Sequence, residues 1–142
     1  MPYFKRYLIC MLLLFTSCKK PPEITILKQL PTKKKSATFF IFQKHSENLE
    51  IFKPLAIEVA KNLKKYGWEE RPKIFFRLTD YGVIITHQTD HCNRVSIIIF
   101  DMQESYKTNF ETLDIVFKAR ISASRKTKKT DLINRLMVDF LN

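Results

Sequence analysis

The residues with the clearest capacity for chemistry form one short run, His87-Gln88-Thr89-Asp90-His91-Cys92. Imidazole, carboxylate and thiolate groups are ligands that zinc binds in proteins. However, the separation of His87 from His91 suits a helix, whereas this run lies between two apolar segments that are typical of strands. We therefore interpret the run as a polar turn and predict no bound metal or other cofactor.

Other catalytic patterns are absent from the sequence. Gly67 and Gly82 are its only glycines, so it contains neither a glycine-rich phosphate loop nor a dinucleotide fingerprint. A nucleophile elbow and an H-E-x-x-H helix are also missing. The adjacent acids Glu69-Glu70 follow a predicted helix end, where carboxylates are usually solvated and do not act as an acid/base pair. We expect a protein that is not an enzyme and has no catalytic residue.

The first residues have the organisation of an export signal. Lys5 and Arg6 precede residues 7–15, which are apolar throughout. As a helix this run would be about 14 Å long at roughly 1.5 Å per residue, against about 30 Å of bilayer hydrocarbon. The run is therefore too short for a lasting transmembrane helix, and residues 1–17 are expected to form a signal peptide.

Small residues follow the apolar run and lead to a cysteine, in the order Phe15-Thr16-Ser17-Cys18. The segment resembles a bacterial lipobox, although Phe15 stands where that pattern usually has leucine. The resemblance implies cleavage before Cys18 and acylation of its thiol. Each buried methylene adds about 0.8 kcal/mol, so several acyl chains would anchor the protein durably. An ordinary secretory signal and an uncleaved anchor remain as alternatives.

The residue after the modified cysteine bears on location. Lys19 stands where the inner-membrane retention pattern has aspartate, so in a two-membrane cell the resemblance implies the periplasmic face of the outer membrane.

Cys10 leaves with the signal and Cys18 is acylated, which leaves Cys92 in the mature domain with no internal disulfide possible. Cys92 is then an inert half-buried thiol, an intermolecular bridge or a reactive nucleophile.

The chain is strongly basic, with a net charge of +11 from 25 basic and 14 acidic residues. Loss of Lys5 and Arg6 with the signal leaves 23 basic residues against the same 14 acids, or +9. Beyond the membrane the available polyanions are lipid and glycan phosphates, so we expect no nucleic-acid partner. Two clusters are candidate anionic-ligand sites: Lys33, Lys34 and Lys35, and Arg125, Lys126, Lys128 and Lys129. Each residue is worth about 1 kcal/mol near an anionic leaflet, although charged loops are often only solvated.

Residues 18–36 are rich in proline and lysine and are interpreted as a flexible tether, in which residues 24–30 partly alternate and could add an edge strand. Residues 37–142 form the single predicted domain.

Within this domain, residues 37–43 are β-branched and aromatic, which predicts a strand. A helix then follows, with Asn48 or Ser46 as its cap and Pro54 tolerated only in its first turn. Gly67 ends it. Its apolar face is Phe52, Leu55, Val59, Leu63 and Tyr66.

The rest of the domain reads mainly as strands. Residues 73–79 and 83–87 flank Asp80-Tyr81-Gly82, a hairpin loop or, preferably, a bulge within one long strand. Residues 94–102 are apolar on both faces and predict a central strand, and residues 112–121 alternate except at Val116.

Thr130 is a candidate cap for a closing helix with Asp131 in its first turn. The apolar stripe of that helix is Leu132, Ile133, Leu136, Met137, Phe140 and Leu141. The element order β-α-β-(β)-β-β-α predicts an α+β two-layer sandwich, with a mostly antiparallel sheet of four to five strands and two helices.

This order of elements, with a helix that ends in Tyr66-Gly67-Trp68 and a C-terminal closing helix, resembles small outer-membrane lipoproteins. They include a domain-of-unknown-function family and the lipopolysaccharide-assembly lipoprotein. The resemblance implies a partner-binding or assembly accessory role and carries no site residue with it.

Two functions are compatible with the sequence. The first is a non-enzymatic envelope lipoprotein that binds another envelope protein through an uncovered sheet face, where Phe75 and Val116 are candidates to face outward. The second is direct binding of anionic lipid or glycan through the two basic clusters. Salt dependence separates them, because ionic binding weakens with salt whereas apolar docking hardly changes.

Overall fold

The computed structural model describes residues 23–28, 36–43, 48–89 and 92–141. These residues form an α+β fold around one sheet with the strand order β1-β6-β5-β4-β2-β3. The strands are β1 (Glu23–Lys28), β2 (Thr38–Phe42), β3 (Glu69–Glu70), β4 (Tyr81–Thr89), β5 (Asn93–Asp101) and β6 (Asp114–Ala123). The helices are α1 (Leu49–Tyr66), a 3₁₀ helix (Lys73–Leu78), α2 (Met102–Lys107) and α3 (Lys129–Leu141).

The predicted α+β class is confirmed. The pairs β1–β6, β6–β5 and β5–β4 are antiparallel, whereas β2 runs parallel to both β4 and β3. The sheet has six strands where four to five were expected, because β1 joins its outer edge and the two-residue β3 joins the other. The sheet therefore includes part of the segment that was interpreted as a tether.

Helix α1 has the boundaries that local sequence signals predict. Asn48 caps it, since its Oδ1 accepts a hydrogen bond from the backbone N–H of Glu50 at 3.0 Å. Gly67 follows it in the left-handed conformation, with φ of 105°. The N–H of Trp68 then donates to the carbonyl oxygen of Leu63 at 3.0 Å, which completes a Schellman motif and brings Trp68 into the core.

Two expectations about helix positions were wrong. Pro54 lies in the second turn of α1, not the first. It leaves the carbonyl oxygen of Glu50, an exposed residue, without its helical donor. Thr130 lies inside α3, which begins at Lys129, so it does not cap the helix.

Among the described residues, no helix has the length and apolar character needed to cross a membrane.

Helices α1 and α3 cover one face of the sheet, as a two-layer sandwich requires. An Asn62–Asn134 hydrogen bond of 2.8 Å joins the two helices. Each large apolar side chain that is fully buried contributes about 1.5–3 kcal/mol. The helical residues of this core are Phe52, Leu55, Val59, Leu63, Leu132, Ile133, Leu136 and Met137. The strand residues include Phe39, Val83, Ile85, Val95, Ile97, Ile99, Phe117, Ala119 and Ile121.

The predicted strand over residues 73–79 is wrong, because most of this segment is the 3₁₀ helix. Pro72 fixes its own φ at −67°, and its carbonyl oxygen accepts a hydrogen bond from the N–H of Phe75 at 2.9 Å. The chain thereby turns away from β2. It follows that Asp80-Tyr81-Gly82 is neither a hairpin loop nor a bulge: Tyr81 begins β4, and the N–H of Asp80 binds the carbonyl oxygen of Thr38.

In the described part of the chain, the second face of the sheet is covered only at one end. The 3₁₀ helix lies there, and so does α2, which the sequence analysis included in the end of a strand and a loop. Asp101 caps α2, because its Oδ1 accepts a hydrogen bond from the N–H of Glu104 at 3.0 Å.

Strand β6 contains a β-bulge. Ile115 pairs with Phe100 and Phe117 pairs with Ile99, so Val116 is the extra residue.

Candidate functional site

A groove of about 1240 Å³ lies between α1, the outer edge of β2 and the 3₁₀ helix. Strand β3 pairs only with Thr38 and Phe39, so β2 has no neighbour on this side beyond Phe39 among the described residues. Helix α1 forms the opposite wall with Phe52, Ala56 and Ala60. The groove is therefore a consequence of the early end of β3.

An aromatic cluster forms the floor of the groove next to the 3₁₀ helix. The ring centroids of Phe40 and Phe42 lie 5.0 Å apart in an edge-to-face arrangement, and Phe76 lies 5.9 Å and 5.8 Å from them. Phe100 supports this cluster from β5, with its ring centroid 5.7 Å from that of Phe42. Such contacts add about 0.5–1.5 kcal/mol per pair, which fixes the rings in place before any ligand binds.

Lysines surround the apolar floor. Lys61, Lys64 and Lys65 line the groove from the last turns of α1, and Lys73 lines it from the start of the 3₁₀ helix. Glu70 is the one acidic residue in this lining, and it forms an ion pair with Lys64 at 3.1 Å. Among the residues that the structure describes, the other three lysines have no carboxylate within ion-pair distance. The rim therefore carries an excess of positive charge.

Large apolar side chains lie exposed beside the groove. Ile57 of α1 lines it with 65% of its surface exposed, and Leu49 lines it from the start of the same helix. On the 3₁₀ helix, Ile74 and Leu78 are 82% and 76% exposed. Isolated exposed apolar residues are ordinary, but a group of them around a concave apolar surface marks a binding site.

The two residues predicted to face outward lie in different surroundings. Phe75 is 49% exposed, but it lies on the 3₁₀ helix and not on a strand. Val116 is half-buried at the bulge of β6, packed against the core. The local pattern identified one apolar surface residue correctly and assigned it to the wrong element.

The two predicted basic clusters have different outcomes. Lys33, Lys34 and Lys35 lie outside the described residues, as does Cys18. Arg125, Lys126 and Lys128 lie in the turn after β6, and Lys129 begins α3; we name this segment the basic turn. Its first three basic side chains are exposed. The buried side chain of Asn93 fixes this turn by donating to the carbonyl oxygens of Arg125 at 3.2 Å and Thr127 at 2.8 Å.

A further cationic surface was missed by the sequence analysis. Lys118 and Arg120 lie two positions apart on β6, so they share the face of the sheet that the long helices leave open. With Thr86 and Ser96 they line a shallow depression of about 240 Å³. Ser96 pairs directly with Arg120 across the β5–β6 ladder. The alternation of β6 contained the signal, because both cations occupy its outward positions.

The residues considered for metal or acid/base chemistry do not form a site in the described part of the chain. His87 lies within β4, whereas Asp90 and His91 lie outside the described residues. No three His, Cys, Asp or Glu side chains come together among those described. Glu69 and Glu70 form β3, where each pairs with a different base: Glu69 with Arg71 at 3.5 Å and Glu70 with Lys64.

Comparison with known proteins gives similarity at the level of fold. No protein-family model and no curated protein matches the chain. A PelC dodecamer from Paraburkholderia phytofirmans is similar in structure, with a TM-score of 0.53 and 10% identity over 85% of this chain and 95% of the PelC chain. A variant of the same PelC dodecamer has a TM-score of 0.51 and 10% identity over 86% and 96%.

Proposed function

We propose that this chain is a membrane-anchored bacterial envelope lipoprotein that binds another envelope protein and performs no catalysis itself. In this proposal, acyl chains on Cys18 hold the protein at the periplasmic face of the outer membrane. The groove between α1 and β2 is the binding surface. The role is that of an assembly accessory module.

The observation that carries the proposal is the apolar groove with an open strand edge. Its volume of about 1240 Å³ exceeds the range of about 300–1,000 Å³ that is usual for small-molecule pockets, so it suits a segment of protein. The floor consists of aromatic and aliphatic side chains, which supply binding energy through burial. The polar groups at its rim are exposed lysines and a carboxylate already paired with one of them.

A photocrosslinking experiment tests the binding surface. A benzophenone amino acid replaces Ile57 at the groove, and the same amino acid replaces the exposed Arg135 of α3 as a matched control. We expect illumination of intact cells to yield a discrete protein adduct from position 57 and not from position 135. Equal adducts from the two positions, or none from position 57, would contradict binding through the groove.

The anchor has a separate test. The intact mass of the purified mature protein should equal that of a chain beginning at an acylated Cys18, and Cys18→Ala should release the protein from membranes washed at high salt. A mature protein with an unmodified thiol at Cys18 would overturn the lipoprotein part of the proposal while leaving the groove as a binding surface.

Direct binding of anionic lipid or glycan is the second candidate function, and the exposure of the basic turn favours it. A triple variant, Arg125→Glu, Lys126→Glu and Lys128→Glu, should abolish binding to phosphatidylglycerol vesicles if this function operates. Wild-type binding should also fall steeply between low and physiological salt. Binding that is insensitive to both changes would exclude this candidate.

The dodecameric state of the structurally similar PelC raises a second copy of this chain as a possible partner. The net charge of +9 expected for the mature chain opposes close packing of identical chains, so we favour a different protein as the partner. The mass of the detergent-solubilised protein by light scattering separates the two. A ring of identical chains in the absence of other proteins would replace the external partner with self-assembly.

A further inference from the structure

Among the described residues, the outer edge of β2 leaves backbone hydrogen-bonding groups without a partner inside the groove. The carbonyl oxygens of Ala37 and Phe39 accept hydrogen bonds from Glu69 and Arg71 of the β3 segment at 2.8 and 2.9 Å. Backbone groups of alternate residues point to the same side of a strand, so the N–H and carbonyl of Ile41 point to this side as well. No described residue hydrogen-bonds with them, because the chain turns into the 3₁₀ helix after Pro72.

We propose that an extended segment of an acidic partner protein adds to β2 at Ile41 as a further strand of the sheet. This inference rests on the proposed function, because it names the chemistry of the partner that the groove binds. Strand addition uses main-chain hydrogen bonds for affinity and alternate side-chain pockets for specificity. The groove supplies both, with Ile41 at the edge and apolar walls on either side of it.

The side chains around Ile41 match a segment that alternates apolar and acidic residues. The α1 wall, with Phe52 and Ala56, lies on one side of this edge, and Phe42 and Phe76 of the aromatic floor lie on the other. Successive side chains of an added strand point to opposite faces of the sheet, so its apolar set would pack against Phe42 and Phe76 and its acidic set would point toward α1. Long acidic side chains would reach the lysines at the rim.

Charge complementarity selects the acidic partner. Lys61, Lys65 and Lys73 face the groove without a carboxylate partner among the described residues, whereas the single acid of the lining, Glu70, is paired with Lys64. A second copy of this basic chain would bring more positive charge toward these lysines. A segment rich in glutamate or aspartate would neutralise them and would be attracted over longer distances.

Binding of a synthetic peptide to the purified, detergent-solubilised protein provides the first test. The probe is a short peptide of alternating valine and glutamate, and the control replaces each glutamate with lysine. We expect the acidic peptide to bind, measured by fluorescence anisotropy, and the basic peptide not to bind. Equal binding of both peptides, or binding of neither, would overturn the inference.

Methylation of the probe backbone tests strand addition without changing the protein. Only alternate N–H groups of an added strand point toward β2. N-methylation of the alternate set that faces Ile41 should weaken binding about fivefold, because it removes the one hydrogen bond donated to the carbonyl oxygen of Ile41, whereas methylation of the other set should have little effect. If both sets have the same effect, the peptide does not add as a strand.

Charge reversal on the protein identifies the lysines that select the probe. Lys61→Glu with Lys65→Glu should weaken binding of the acidic peptide by about threefold to tenfold. The matched control is Lys126→Glu with Lys128→Glu in the basic turn, which makes the same change in net charge away from the groove and should have little effect. Equal losses in the two double variants would show that only the net charge of the protein attracts the acidic peptide. Selection by the lysines of the groove would then be wrong.

The peptide and crosslinking experiments fail separately. If position 57 still crosslinks to an envelope protein but the acidic peptide does not bind, strand addition is wrong and the proposed function stands. If palmitate displaces the acidic peptide in the anisotropy assay, the occupant of the groove is an acyl chain and the inference is overturned. If the peptide binds and the two N-methylated sets differ as predicted, but no adduct forms at position 57 in cells, the proposed function is wrong and strand addition stands.

Discussion

The ring of Phe100 lies directly against the backbone of Gly82, its partner across the β4–β5 ladder. A Cβ atom at Gly82 would overlap the ring, which is buried. The same ring supports Phe42 in the floor of the groove. The absence of a side chain at position 82 therefore makes room for the aromatic cluster that shapes the candidate site.

Gly82→Ala should destabilise the fold. In an ordinary strand this change is neutral or favourable, because alanine loses less conformational entropy on folding. Here the added methyl forces Phe100 to move within a packed region, which costs about 1–3 kcal/mol. Urea denaturation measures the change, with Ser96→Ala on the same face as a control. An unchanged or increased midpoint for Gly82→Ala would show that the Phe100 ring moves freely.

Tyr81 should make the fold sensitive to alkaline pH. Burial raises the pKa of Tyr81 above its usual value of 10.0, and the carboxylates of Asp101 and Asp80 raise it further. The folded chain therefore holds this proton more tightly than the unfolded chain does, so the stabilisation is complete below about pH 10 and is lost as pH rises through the folded pKa.

The variant Tyr81→Phe tests this linkage. Phenylalanine keeps an aromatic ring on Trp68, where the Tyr81 ring is stacked with a centroid distance of 4.7 Å. Between about pH 9 and pH 11, the free energy of unfolding should fall less steeply for the variant than for the wild type. Parallel curves over this range would show that Tyr81 titrates alike in the folded and unfolded chains.

Asn93→Ala should loosen the basic turn. The Asn93 amide supplies hydrogen bonds to two carbonyl oxygens of the turn, and its loss leaves them without that donor at a cost of about 1–3 kcal/mol. Trypsin should then cleave faster after Arg125 and Lys126, as followed by mass spectrometry. Gln88→Ala, an exposed change on the neighbouring strand, is the control. Equal cleavage rates would indicate that other contacts fix the turn.

The elements that the sequence predicted well are those whose signals are local. Asn48 determines the start of α1 through its side chain, and Gly67 determines the end through its backbone conformation. The periodic apolar residues between them mark the face that is buried. The apolar positions of α3 and the alternation of β6 are equally local. The surface of Lys118 and Arg120 was missed although its signal is equally local, because residues two apart on a strand share a face.

The groove could not be predicted from local patterns. Its lining includes Phe42, Ala56 and Phe76, which lie on three elements and come together only in the tertiary fold. Residues 73–78 match a strand in composition, and the local pattern does not show that Pro72 directs the chain away from β2. The open edge at Ile41 results from that turn, so the error over the 3₁₀ helix concealed the candidate site.

Deletion of Val116 should be tolerated far better than deletion of its neighbour Lys118. Val116 has no partner across the ladder, so its removal lets Ile115 and Phe117 keep their pairing with Phe100 and Ile99. Removal of Lys118 instead shifts one part of β6 by a residue, which moves buried side chains to the opposite face. Thermal unfolding should remain cooperative for the first deletion and should be lost or shifted by many degrees for the second. Equal destabilisation would mean that the bulge itself determines the packing of β6.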